Sequence, residues 1–178
     1  ITTEKRYIPR TDVAKMIRRD LKARWPNHKF SVTSKSYSGG GHIDVSWDDG
    51  PTQKEVENLV KVYESKGFDG SIDLAYHMTH WLSPDGTIEF CHSPGTAGSM
   101  GQHPEDFNPA PLGAVEVNLG TGYLFCQRGL SDTRRGMLED KCASYYAGWD
   151  KALGYQNLDY WLRISAMERM ILSGEVAP

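Results

Sequence analysis

Cysteine is scarce in this chain: Cys91, Cys126 and Cys142 are the only three in 178 residues. They are odd in number and widely spaced, which excludes a dense disulfide scaffold and predicts a reducing, intracellular setting such as the cytoplasm. Long apolar runs are also missing. No stretch approaches the roughly 20 apolar residues that a membrane-crossing helix needs, and no apolar run follows a basic start as in a signal peptide, so no membrane partner is expected. The signatures of common enzyme chemistry are absent too. No Gly-Lys-Ser/Thr follows Gly39-Gly40-Gly41, and there is no Gly-x-Ser-x-Gly, His-Glu-x-x-His, dinucleotide fingerprint or Cys-x-x-Cys. Chemistry resting on a recognisable motif is thereby excluded, no cofactor is expected, and a protein that acts by binding is favoured over an enzyme. A starting Met is lacking as well, and Ile1 points to a trimmed chain or a fragment of something longer.

What is present is ordinary in bulk and uneven in distribution. Hydrophobic residues make up 39% and charged residues 24%, which describes a globular protein and not a disordered one. The net charge is −3, yet residues 1–36 hold ten Lys and Arg against three acids. A basic end on an acidic body predicts either a partner for that end or a self-complementary assembly; the alternative is that the two halves solvate and pair within one fold.

Thr11 to Trp25 reads as an amphipathic helix, with Val13, Met16, Ile17 and Leu21 on one side, Thr11 as N-cap and Pro26 as a stop. Lys15, Arg18, Arg19 and Lys22 occupy the opposite side. Phe30 and Val32, then Ile43, Val45 and Trp47, alternate with polar residues as two strands do. The Lys35 to Gly41 stretch between them reads as a flexible loop. Thr52-Gln53-Lys54-Glu55 has the form of a capping box, opening a helix that Gly67 would end. Ile72, Leu74 and Tyr76 predict a third strand, and Ser83-Pro84-Asp85-Gly86 the turn of a second hairpin. The expected class is α+β: a small antiparallel sheet with two helices on one side, then a hairpin and a C-terminal helical pair. Residues 1–93 would form the first module and 94–113, rich in Pro and Gly, a loop or linker. Residues 114–178 would supply the hairpin, turning at Gly120-Thr121-Gly122, and helices whose core includes Trp149, Tyr160 and Trp161, with Asn157 capping the last.

The run Lys29-Phe30-Ser31-Val32, Lys35-Ser36-Tyr37-Ser38-Gly39-Gly40 and Ile43-Asp44-Val45-Ser46-Trp47 resembles a large polyvalent protein-associated domain, the one numbered twenty-nine. Asp49-Gly50-Pro51-Thr52, Glu55-Val56 and Phe68-Asp69-Gly70 continue the likeness, which covers roughly residues 9–80. The resemblance implies a bacterial host and a setting in phages or conjugative elements, whose large multi-domain proteins are thought to travel with DNA and counter host defences. It implies no activity.

Three constellations could carry function. Lys15, Arg18, Arg19, Lys22 and Lys35 could neutralise phosphates while Tyr37 stacks on a base, against the ordinary alternative of a solvated helix face. His77, His80, Cys91, His92 and His103 are residue types that zinc prefers, but neighbours in a strand diverge, so the default is no metal and His42 is likewise an exposed hairpin residue. Cys91 beside His92 could be a thiol nucleophile, although catalytic Cys and His usually meet through the fold. The reading favoured is a non-enzymatic binding protein, of counter-defence type by its family setting alone, that contacts nucleic acid or a host protein or nucleoprotein complex through the basic helix and the Lys35–Gly41 loop. The alternatives are an enzyme acting on nucleotide or nucleic acid through the His/Cys-rich middle, and a structural module that forms homo-oligomers through its aromatic C-terminal helices.

Overall fold

The computed structural model describes residues 6–70, 72–95, 107–150 and 158–178. Two compact units divide the chain, residues 1–128 and 129–178. In the first, β1 (Arg6–Ile8) and α1 (Arg10–Arg24) precede β2 (Ser31–Tyr37) and β3 (Gly40–Asp48). Next come α2 (Gln53–Val60), a 3-10 turn at Lys61–Tyr63, β4 (Lys66–Asp69), β5 (Leu74–Leu82), β6 (Ile88–Gly95), β7 (Val115–Leu119) and β8 (Tyr123–Gly129). The second unit carries α3 (Asp132–Tyr145) and α4 (Leu158–Leu172).

The α+β class and the C-terminal helical pair are as the sequence predicts, with the strands divided between two small sheets. One sheet runs β1-β7-β5-β4 with β6 on the other edge of β5; the second runs β2-β3-β8. All the pairings within the first sheet are antiparallel except β1 with β7. The two strands read as a last hairpin thus part company, β7 entering one sheet and β8 the other. One core joins both sheets to the helices. Val13, Ala14, Ile17 and Leu21 of α1 and Val56 and Val60 of α2 pack with Ile43, Val45, Ile88 and Val117. Removing these apolar surfaces from water, at about 25 cal/mol per Å², is what holds the layers together.

Local chemistry sets the element ends. Thr52 accepts from the Glu55 backbone N–H while the Glu55 carboxylate accepts from Thr52 N–H at 2.8 Å, so the capping box is formed. Helix α1 starts earlier than its sequence predicts: Pro9, not Thr11, is the N-cap, because Pro9 O accepts from Asp12 N and Val13 N. Gly67 does not end α2. The helix stops at Val60 and Gly67 lies in β4, where a Cβ would meet the Tyr76 ring at 2.1 Å. The Lys35–Gly41 segment is no flexible loop either. Strand pairing runs through Lys35↔His42 to Tyr37↔Gly40, leaving the two-residue turn Ser38-Gly39, with φ of 90° at Gly39.

In the second unit, Leu138, Cys142, Tyr160, Ile164 and Met167 form a separate core. Tyr160 donates to Glu139 at 2.6 Å, and its ring stacks on Trp149 with centroids 5.4 Å apart. Trp161, expected in this core, is 36% exposed. The expected Asn157 cap lies outside the described residues, while Gly174, at φ 79°, follows α4. No helix among the described residues is long and apolar enough to cross a membrane.

Candidate nucleic-acid interface

Strand alternation decides what the three-stranded sheet shows to solvent. Val32, Ile43, Val45, Trp47 and Leu124 point into the core. The intervening positions Thr33, Lys35, Tyr37, His42, Asp44, Tyr123 and Phe125 therefore share the outer face. Four rings form a row there: Tyr37 to His42 at 5.8 Å between centroids, His42 to Phe125 at 5.4 Å, and Phe125 to Tyr123 at 6.5 Å. Tyr37 is 53% and Phe125 49% exposed, unusual for large aromatic rings in an otherwise well-formed fold. Asp44 ties the polar members together, lying 3.1 Å from Lys35 Nζ and 3.2 Å from His42 Nε2.

The row ends beside a cleft of about 270 Å³, lined by Tyr7, Arg10, Gly40, Gly41, Lys66, His77 and Asn118 among others. Its described lining includes no carboxylate. Arg10 is held in place, Nε donating to Thr121 O at 3.2 Å and a terminal nitrogen to Ser36 Oγ at 2.6 Å. Lys66 Nζ and the Tyr37 ring flank Gly40, 3.5 and 3.8 Å from where its Cβ would stand. Gly122, at φ 72°, closes the back wall: its carbonyl accepts from Ser65 and Lys66 N–H, and a Cβ would stand 2.1 Å from Gly41 O. Only glycine permits that approach.

The six residues expected to act together divide between opposite sides of this unit. Lys35 and Tyr37 lie on the outer sheet face, whereas α1, which carries Lys15, Arg18, Arg19 and Lys22, packs against the inner one. Two of those are committed. Arg18 donates to Val32 O; Arg19 bonds Asp20 at 2.7 Å and Gly86 O at 3.0 Å. Asp20 also accepts from Tyr63, and this partner together with burial raises the Tyr63 pKa. Lys15 pairs with Asp12 at 2.8 Å. Arg18 and Lys22 do share a depression of about 380 Å³ with His28, Lys29 and Phe30.

The histidines and cysteines separate as well. His77 reaches the cleft, His80 is buried, and His103 lies outside the described residues. Cys91 and His92, however, turn toward each other, with Sγ 3.2 Å from Nδ1. Sequence reasoning passed over Arg10, Lys66, Tyr123 and Phe125 and set His42 aside. Tyr123 and Phe125 had a readable signal, two aromatics at outward positions of one strand.

The model of a family described as large polyvalent protein associated domain 29 matches residues 8–131. The chain belongs to that family. The match takes in α1 through β8, well beyond the stretch that carries the resemblance in sequence, so the aromatic row and the described cleft lining other than Tyr7 lie within this domain 29 segment. The family is associated with polyvalent proteins of phages and mobile elements. No curated protein and no solved structure matches the chain.

Proposed function

We propose that this domain binds single-stranded nucleic acid across the outer face of its three-stranded sheet and acts by binding, not catalysis. The observation that carries the reading is the outward row Tyr37–His42–Phe125–Tyr123, continuous with a cleft whose described lining holds Arg10 and Lys66 and no carboxylate. Every base has a π-face, so a row of rings on a sheet holds successive unstacked bases without reading their sequence. Arg10 and Lys66 are placed for the phosphates that run alongside, and the glycine backbone lets them come close. A domain associated with mobile-element proteins meets such strands whenever DNA is transferred or unwound.

Fluorescence anisotropy with a labelled single-stranded oligonucleotide tests this. Tyr37→Ala and Phe125→Ala are expected to cost about 1–3 kcal/mol each, and Lys66→Glu to weaken binding and flatten its salt dependence. Charge reversal at Arg18 and Arg19 is expected to have the smaller effect, because those groups already serve the fold. No binding by the wild-type chain at low salt defeats the reading. Binding lost with Arg18→Glu but kept with Tyr37→Ala moves the interface to the helix.

A further inference from the structure

We infer that Cys91, His92 and Glu116 form a binding site for a divalent transition metal of zinc type. The site rests on a β-bulge. Thr79 pairs with His92 and His80 with Phe90, so β6 advances two residues while β5 advances one and Cys91 is the extra residue. In a regular strand Cys91 and His92 would point to opposite faces; a bulge re-aims one of them. Trp81, two residues along β5 from Thr79, pairs with Glu116 on β7, which brings that carboxylate to His92 from the other edge of β5.

The three ligand atoms lie within 4.8 Å of one another, with Cys91 Sγ 3.2 Å and Glu116 Oε1 3.5 Å from His92 Nδ1. Zinc bonds of about 2.0 Å to N and O and 2.3 Å to S set tetrahedral ligand atoms about 3.3–3.5 Å apart, so small side-chain rotations suffice to seat the ion. Thr79 Oγ1 also stands 2.9 Å from Nδ1, so a sulfur, a hydroxyl and a carboxylate oxygen all converge on one ring nitrogen.

The surroundings are built to hold ligands still. Cys91 is 1% and His92 8% exposed. Phe107 stacks on the imidazole at 3.9 Å between centroids. The neighbouring Asn108 is pinned by its N–H to Cys91 O, its amide to Phe90 O and its carbonyl to Trp81 Nε1. On binding a divalent ion the Cys91 thiol gives up its proton, and the ion's charge offsets the thiolate and the half-buried Glu116 carboxylate. The site is independent of the nucleic-acid reading, and Tyr37 and Phe125 take no part in it.

Elemental analysis of the full-length chain, Zn²⁺ titration after chelation and the absorption spectrum with Co²⁺ test the site. We expect about one zinc per chain, and a thiolate-to-cobalt charge-transfer band that Cys91→Ser abolishes. Zn²⁺ affinity should fall more than about tenfold in His92→Ala and Glu116→Gln, and Zn²⁺ should raise the melting temperature of the wild type far more than that of either variant. Cys126→Ser and Cys142→Ser should leave all of this unchanged. A wild-type chain that is folded yet neither carries nor takes up zinc overturns the inference. So does wild-type affinity in folded Glu116→Gln, the mildest of the three changes.

Discussion

His80 is 1% exposed, and burial lowers its pKa from 6.5 to about 4 despite hydrogen bonds with the Glu64 and Val62 backbones. The imidazole is therefore neutral in the fold at neutral pH. In the unfolded chain it takes a proton near pH 6.5, so below that pH the unfolded state binds a proton that the native state refuses. Stability contributed by the neutral ring is complete above about pH 6.5, declines as the pH falls toward 4 and is lost below it. The full swing is about 3 kcal/mol. Nearby Glu64 acts in the opposite sense: burial raises its pKa, and protonation relieves that penalty as the pH falls. Comparing the wild type with His80→Gln isolates the histidine. In urea denaturation at pH 7 and pH 4, the stability difference between them should change by up to about 3 kcal/mol; a difference that stays constant removes the buried neutral imidazole from the account.

At the scale of elements, the turn between β7 and β8 fastens the two sheets of the first unit at one point. Gly120 N–H donates to Ile8 O, and Gly122 bonds Ser65 through its N–H as well as its carbonyl. Gly122→Ala meets both a left-handed φ of 72° and the Gly41 carbonyl, and is expected to cost on the order of 2–3 kcal/mol. Gly39→Ala, at φ 90° with nothing within 4 Å, should cost about 1 kcal/mol. Equal losses in urea denaturation would mean that the close approach does not matter. The same comparison separates what was legible in the sequence from what was not. Period 3.6 in Val13–Leu21, period 2 in Ile43–Trp47 and the Thr52–Glu55 box are local patterns, and each forms where it is written. The Ser38-Gly39 turn was hidden because Ser36 and Tyr37 are not the alternating apolar residues that mark a strand. The division of β7 and β8 between sheets depends on distant partners. The bulge at Cys91 has no sequence mark at all, which is why neighbouring Cys and His were expected to diverge. Lys35 and Tyr37 share the outer sheet face, whereas Lys15, Arg18, Arg19 and Lys22 of α1 were joined to them only by charge, and charge carries no information about which face a helix turns to.

Across the whole molecule, much of the charge imbalance is answered within the first unit. Arg18 and Arg19 reach backbone carbonyls, while Lys15 and Lys35 find carboxylates. Beside the exposed rings the cleft holds Lys66 and Arg10, the latter itself anchored to Thr121 O and Ser36 Oγ. The cores also divide the molecule. Among the described residues of 129–178, five buried apolar side chains with a rim around them form the core, whereas the first unit has a core spanning two sheets and two helices. Leu138 is fully buried in the smaller core. Leu138→Ala should cost about 2–5 kcal/mol, comparable to all the stability such a core supplies. Hydrogen exchange should then show the amides of α3 and α4 losing protection while those of α1 and β3 keep theirs. Oligonucleotide affinity should be unchanged, since every ring of the row belongs to the first unit. Loss of protection spread evenly over both units would show that the two cores unfold as one.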